Sequence, residues 1–197
     1  MFFIYRILIN LIILFSPLII LSRVIKNKED KFRFKEKFCF FSKKRGNGKL
    51  IWFHGSSVGE ILSVIPLIEK LEKKKKIDKI LITSSTLSSS KVLSNFKLKK
   101  TIHQFFPIDS NLLTKKFLNY WKPSAAIFID SEIWPNILLN VKKKKIPLIL
   151  LNARITKKSY NRWKIIPYTA KKLFQNFDIC FSQNQETRKY LKSLGAK

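Results

Sequence analysis

Polar and apolar positions divide the chain into two unlike stretches. Residues 1–22 are almost wholly apolar, broken by Arg6, Asn10 and the Ser16-Pro17 pair. The sixteen uncharged residues between Arg6 and Arg23 are short against the roughly 20 that cross a bilayer, which suits a tilted or shallow hydrophobic membrane-anchor helix. No small-residue cleavage site follows, so the segment is expected to be retained. The basic flank after it (Arg23, Lys26, Lys28, Lys31, Arg33) holds the downstream chain on the cytoplasmic side. Residues 23–49 form a basic connector carrying Phe32, Phe34, Phe38, Phe40 and Phe41, a mixture that fits a membrane surface or a helix packed on a sheet.

From residue 50 the period alternates between strand and helix. Strands are predicted at 50–53, 79–83, 103–106, 125–129, 147–151 and 179–182, and helices at 60–75, 88–97, 112–120, 135–143, 163–176 and 184–194. The alternation predicts an α/β domain over 50–197, a doubly wound, mostly parallel sheet with helices on both faces. Ligands bind such sheets at the carboxyl ends of the strands. Polar clusters fall there at 54–60, 83–90, 107–109, 130–136 and 152–154, which predicts a single cleft.

Composition changes this picture in two ways. The 40 basic against 12 acidic residues give a net charge of +28, which favours polyanions such as anionic lipid or nucleic acid. The lysine runs at 73–76 and 142–145 also read as plain solvated surface, and no specific nucleic-acid partner is expected. Cys39 and Cys180 are isolated, which fits a reducing compartment.

Only five glycines occur, and two of them, Gly55 and Gly59, fall within five residues after the first strand, predicting a backbone that needs positive φ or close approach. Gly55 to Gly59 formally fits G-x-S-x-G with Ser57 as nucleophile. That chemistry needs a later histidine, and with only His54 and His103 the base would be His103, in mid-chain, which argues against a hydrolase. A phosphate loop and a dinucleotide fingerprint both lack their required residues. Glu60, at the opening of a helix, is a candidate general base.

Taken together, IWFHGSSVGE at 51–60, the hydroxyl run at 83–90, FPID at 106–109, DSEIWPN at 130–136, NAR at 152–154 and LGAK at 194–197 resemble, in order, the 3-deoxy-D-manno-octulosonic acid (Kdo) transferases. The resemblance covers nearly all the chain. It implies the N-terminal, Rossmann-like acceptor half of a GT-B glycosyltransferase that takes CMP-Kdo as donor and the lipid A precursor as acceptor. It also implies the cytoplasmic face of the inner membrane, with neither cofactor nor bound metal.

Glu60 matches the family's general base, and Asp130 with Glu132 matches a carboxylate pair that is typically two glutamates, so that Asp130 is one methylene shorter. Ser56, Ser57, Gly59, Thr86, Ser90 and Arg154 are the candidate acceptor contacts. The serine and threonine hydroxyls can equally cap helices, and Arg154 can equally pair with Asp130 or Glu132. Ser89 stands where the family usually has glycine. Trp134, Pro135, His54 and His103 read as structural. The family's nucleotide-binding half corresponds to nothing in these 197 residues, so CMP-Kdo binding is expected from a C-terminal half. The alternatives are a non-catalytic membrane-bound remnant and, after it, a basic nucleic-acid-binding protein or a Ser57 hydrolase.

Overall fold

The computed structural model describes residues 2–197. Six strands, β1 (Leu50–His54), β2 (Lys79–Ser84), β3 (Thr101–Phe105), β4 (Ala125–Ile129), β5 (Leu148–Ala153) and β6 (Ile179–Ser182), form one sheet. All pairings are parallel, in the order β3-β2-β1-β4-β5-β6. The order reverses between β1 and β4, so the crevice outside the carboxyl ends of those two strands is the topological switch point.

Strand periodicity separates two cores. Leu50 and Trp52 of β1 face one side with Phe117, Trp121 and Phe128, while Ile51 and Phe53 face the other with Ile61, Val64 and Ile68. The helices are α1 (Phe2–Ile25), α2 (Val58–Glu72), α3 (Leu87–Leu93), α4 (Asn111–Trp121), α5 (Pro135–Lys143), α6 (Lys157–Lys164), α7 (Pro167–Phe174) and α8 (Gln185–Ser193). Five of them start on a hydroxyl or amide cap: Ser57, Thr86, Ser110, Thr156 and Asn184 each accept from the backbone N–H three residues on.

One expectation needs correction. The helix predicted over 163–176 begins only at Pro167, as α7, because Pro167 cannot continue the ladder of α6, which lies earlier at Lys157–Lys164. Of the two readings of the connector, packing on the sheet is the one seen: its 3-10 helix (Arg33–Phe38) is bonded to the sheet edge at β3. Glu36 is buried there, takes both Arg33 Nε (2.9 Å) and Nη2 (3.0 Å), and accepts the Phe105 N–H at 2.8 Å.

Candidate active site at the sheet switch point

β1 ends at His54, and the chain turns through Gly55 to Ser57 before α2 begins. A side chain on Gly55 would meet Glu60 and Ile129, both 3.1 Å from its Cβ, so the expected close approach is real. Gly59 is different. Its φ is not positive, and a Cβ there would meet nothing within 4 Å. Neither backbone nor packing requires a glycine at that exposed position beside Glu60.

Glu60 is the third residue of α2, and its N–H donates to the Ser57 hydroxyl that caps the helix. The Ser57 hydroxyl donates to Glu60 Oε1 at 2.7 Å, and the Ser56 N–H donates to Oε2 at 2.8 Å. Partial burial raises the Glu60 pKa above the usual glutamate value; these two bonds oppose the rise, and the nearby charges of Glu132 and Asp130 add to it.

The second carboxylate comes from the β4 loop. Asp130 leaves the strand with φ +60°, a conformation that Asp tolerates better than most residues, and this turn carries Glu132 into the crevice beside β1. Oε2 of Glu132 accepts the Ser56 hydroxyl (2.6 Å), the Trp134 indole N–H (2.6 Å) and His54 Nε2 (3.1 Å). Burial opposes ionisation of Glu132, but the bonds from His54, Ser56 and Trp134 outweigh it and hold the carboxyl below the usual range.

Ser56 therefore bridges the two acids, giving its N–H to Glu60 and its hydroxyl to Glu132. Adjacent strands provide the backing. The pairing His54↔Thr83 brings His54 Nδ1 to Thr83 Oγ1 (3.0 Å) and Thr83 O (3.2 Å). The carbonyl only accepts, and Thr83 Oγ1 gives its proton to Phe53 O while accepting from Trp52 Nε1, so Nδ1 of His54 carries hydrogen. Nε2 faces Oε2 of Glu132 at 3.1 Å. The imidazole is fully buried and stacks on Phe106, ring centroids 3.7 Å apart.

Of the expected acceptor contacts, Ser56 and Ser57 lie at this centre, and their hydroxyls are engaged by the two acids. Thr86 caps α3, and Ser89 donates to the Ser56 carbonyl at 3.2 Å, so the hydroxyl at the family's usual glycine position ties α3 to the Ser56 turn. Ser90 is not brought to the site. Its hydroxyl faces the connector, taken by Arg33 Nη1 (3.1 Å) and near His103 Nδ1 (3.4 Å), because the 3-10 helix covers that side of α3. Asp130, Ser131, Arg154, Thr156 and Ser159 line a separate small pocket beyond β4 and β5. Arg154 is exposed and, among the described residues, pairs with no carboxylate, which sets aside the salt bridge to Asp130 or Glu132.

The residues missed in the sequence are His54 and Trp134. A histidine on the last residue of the switch-point strand and a tryptophan two residues after an acid were the available signals. The geometry also disposes of the Ser57 nucleophile. Desolvation of half-buried His103, together with Arg33, pushes its pKa down to about 3, and it lies between Arg33 and Ser84, whereas Ser57 is bonded to Glu60. Among the described residues no group of three or more His, Cys, Asp or Glu could hold a metal ion.

Comparison with known proteins agrees with this layout. Residues 32–197 match the family model described as 3-deoxy-D-manno-octulosonic-acid transferase (kdotransferase), so the match begins inside the connector that the structure ties to the sheet. A 3-deoxy-D-manno-octulosonic acid transferase of Rickettsia bellii is 38% identical over 177 residues, covering 90% of this chain and 42% of the relative. A probable mitochondrial 3-deoxy-D-manno-octulosonic acid transferase of Arabidopsis thaliana is 40% identical over 164 residues, covering 82% of this chain and 37% of the relative. The chain thus spans less than half the length of these curated relatives. Among solved structures, the UDP-N-acetylglucosamine 2-epimerase of Rickettsia bellii aligns with a TM-score of 0.51 at 17% identity over 77% of this chain and 43% of that one, a likeness of fold. On the family match and these identities, the chain belongs to the 3-deoxy-D-manno-octulosonic acid transferase family.

Proposed function

We propose that this chain is the acceptor-binding half of a glycosyltransferase that moves Kdo from CMP-Kdo to a lipid A precursor at the cytoplasmic face of the inner membrane, with Glu60 as general base. The observation that carries this reading is the Ser56 bridge at the switch point. It holds Glu60 in a partly dry crevice next to a second carboxylate, an arrangement that strengthens a base. In the reaction an acceptor hydroxyl oxygen bonds to the anomeric carbon of Kdo, the bond to the CMP phosphate breaks, and the hydroxyl proton passes to Glu60. Donor binding is assigned to a C-terminal half.

The surroundings suit a phosphorylated lipid. Trp134, whose indole holds Glu132, also lines an apolar pocket of about 270 Å³ with Phe2, Tyr5, Trp163 and Leu173, a place for an acyl chain. On the other side lies unpaired Arg154, beside the start of α6, where the first turn carries Lys157 and Lys158 and no acid. Cations and free backbone N–H groups together attract an acceptor phosphate.

Binding to vesicles containing the lipid A precursor tests the reading. Wild type should bind them above precursor-free vesicles of equal charge, and Arg154→Ala should weaken that difference about tenfold, or about 1.4 kcal/mol. Equal binding to both vesicles would favour the non-catalytic remnant. Gly59→Ala separates fold from function: the methyl meets open space and should stabilise the domain by roughly 0.4 to 1 kcal/mol in urea unfolding. Acceptor binding should nevertheless fall, because the open space next to Glu60 is then narrowed. Unchanged binding would show that no ligand approaches Gly59.

A further inference from the structure

α1 has the length and apolarity of a membrane span, but its contacts are those of a helix laid against the domain. Near its start the Tyr5 hydroxyl donates to Asp109 Oδ2 (2.8 Å) and Arg6 Nε donates to Asn136 Oδ1 (3.1 Å). Asp109 is itself a buried anchor, accepting the N–H groups of Asn136 (2.9 Å) and Ile137 (2.8 Å) at the start of α5. Near the other end, Arg23 lines a pocket with Thr86, Leu87 and Ser88 at the start of α3, and pairs with buried Glu29 at 3.1 Å. Tyr5 and Arg23 are about 27 Å apart along the helix axis, close to the roughly 30 Å of a bilayer's hydrocarbon core. A helix that crossed the bilayer would carry Asp109 and Asn136, on the same domain as Thr86, to the far leaflet.

Burial along α1 is one-sided. Ile9 and Ser16 are buried against the domain. On the opposite side Ile4, Leu11, Leu18 and Ile25 are exposed, flanked by exposed Phe3, Leu14, Phe15 and Leu21. Pro17 leaves the Ile13 carbonyl without its helical N–H, and the Ser16 hydroxyl donates to that carbonyl at 2.6 Å, so the break is satisfied within α1. Cations stand at both ends, with Lys172 5.5 Å over the Phe2 ring and Arg23, Lys26 and Lys28 at the finish.

We propose that α1 lies in the plane of one anionic leaflet, its Ile4–Leu11–Leu18–Ile25 stripe in the acyl boundary and its other face latched to the domain, instead of crossing the bilayer. The carboxyl edge of the sheet is then held at the membrane surface. This holds whether or not the domain takes part in Kdo transfer.

Nitroxide labels on single cysteines at positions 4, 11, 18 and 25, in a Cys39→Ser, Cys180→Ser background bound to phosphatidylglycerol vesicles, give the depth of each site. The expected result is one shared depth, about 5 to 10 Å below the headgroups at all four. A profile that passes through the bilayer centre at positions 11 and 18 and reaches the opposite surface at position 4 overturns the proposal. So does spin coupling between copies with no change on adding vesicles, which would make a second chain the occupant of the stripe. Tyr5→Phe with Arg6→Gln cuts the first latch, and the depth at position 4 should then depart from that at position 25. An unchanged profile in that variant would show that the latch does not set the orientation.

Discussion

Glu60→Gln is expected to abolish Kdo transfer, by at least about a hundredfold as for removal of a general base, and to leave the fold and acceptor binding in place. Glutamine keeps one oxygen for the Ser56 N–H, and its NH2 group can donate to the Ser57 hydroxyl once that hydroxyl turns. It cannot take the acceptor proton. Transfer can be measured in a fusion of this chain to the part of the Rickettsia bellii relative that it does not cover, and acceptor affinity on the chain alone. Stability should not fall near neutral pH. A glutamate whose folded pKa is raised contributes stability below its unfolded pKa and loses it as pH rises through the folded pKa, so a permanently neutral side chain removes that loss.

Glu132→Ala should produce the largest loss of stability among the site residues, about 3 kcal/mol in urea unfolding. One oxygen of Glu132 accepts from Ser56, Trp134 and His54, and His54 is fully buried with its other nitrogen committed to Thr83. Removing that acceptor takes the partner from the Trp134 indole N–H and from buried His54 Nε2, while the Ser56 hydroxyl can turn to Ser85 at 3.1 Å. Glu132→Gln keeps an oxygen for Trp134 and Ser56 and should lose much less. A loss below about 0.5 kcal/mol for Glu132→Ala, the range of ordinary surface substitutions, would show that these bonds contribute little to the fold.

Much of this arrangement was legible in the chain. Strand and helix alternation gave the parallel sheet, and polar clusters after each strand gave the functional edge, because period and turn chemistry are local properties. Glu60 stands out as a candidate for the same reason, lying within a few residues of a strand end and a helix start. What escaped depends on contacts between distant residues. His54 matters because parallel register sets it beside Thr83 and the β4 turn swings Glu132 onto its other nitrogen. Ser90 was misplaced because nothing near it announces that Arg33, 57 residues earlier, covers it. Asp130 reads in sequence as one methylene short, and its left-handed φ, which aims the following residues into the crevice, belongs to the loop as a whole.

The pH dependence of Kdo transfer by the fusion, compared between wild type and Glu132→Gln, tests most directly whether Glu60 is a base tuned by its neighbour. The acid limb of wild type should lie above the ordinary glutamate range, since transfer needs ionised Glu60 and its pKa is raised by partial burial, with the nearby acids adding to the rise. Removing the Glu132 charge should move that limb to lower pH. A limb that persists in Glu60→Gln would contradict the assignment of Glu60 as the base, and one that stays in place in Glu132→Gln would contradict its tuning by that neighbour.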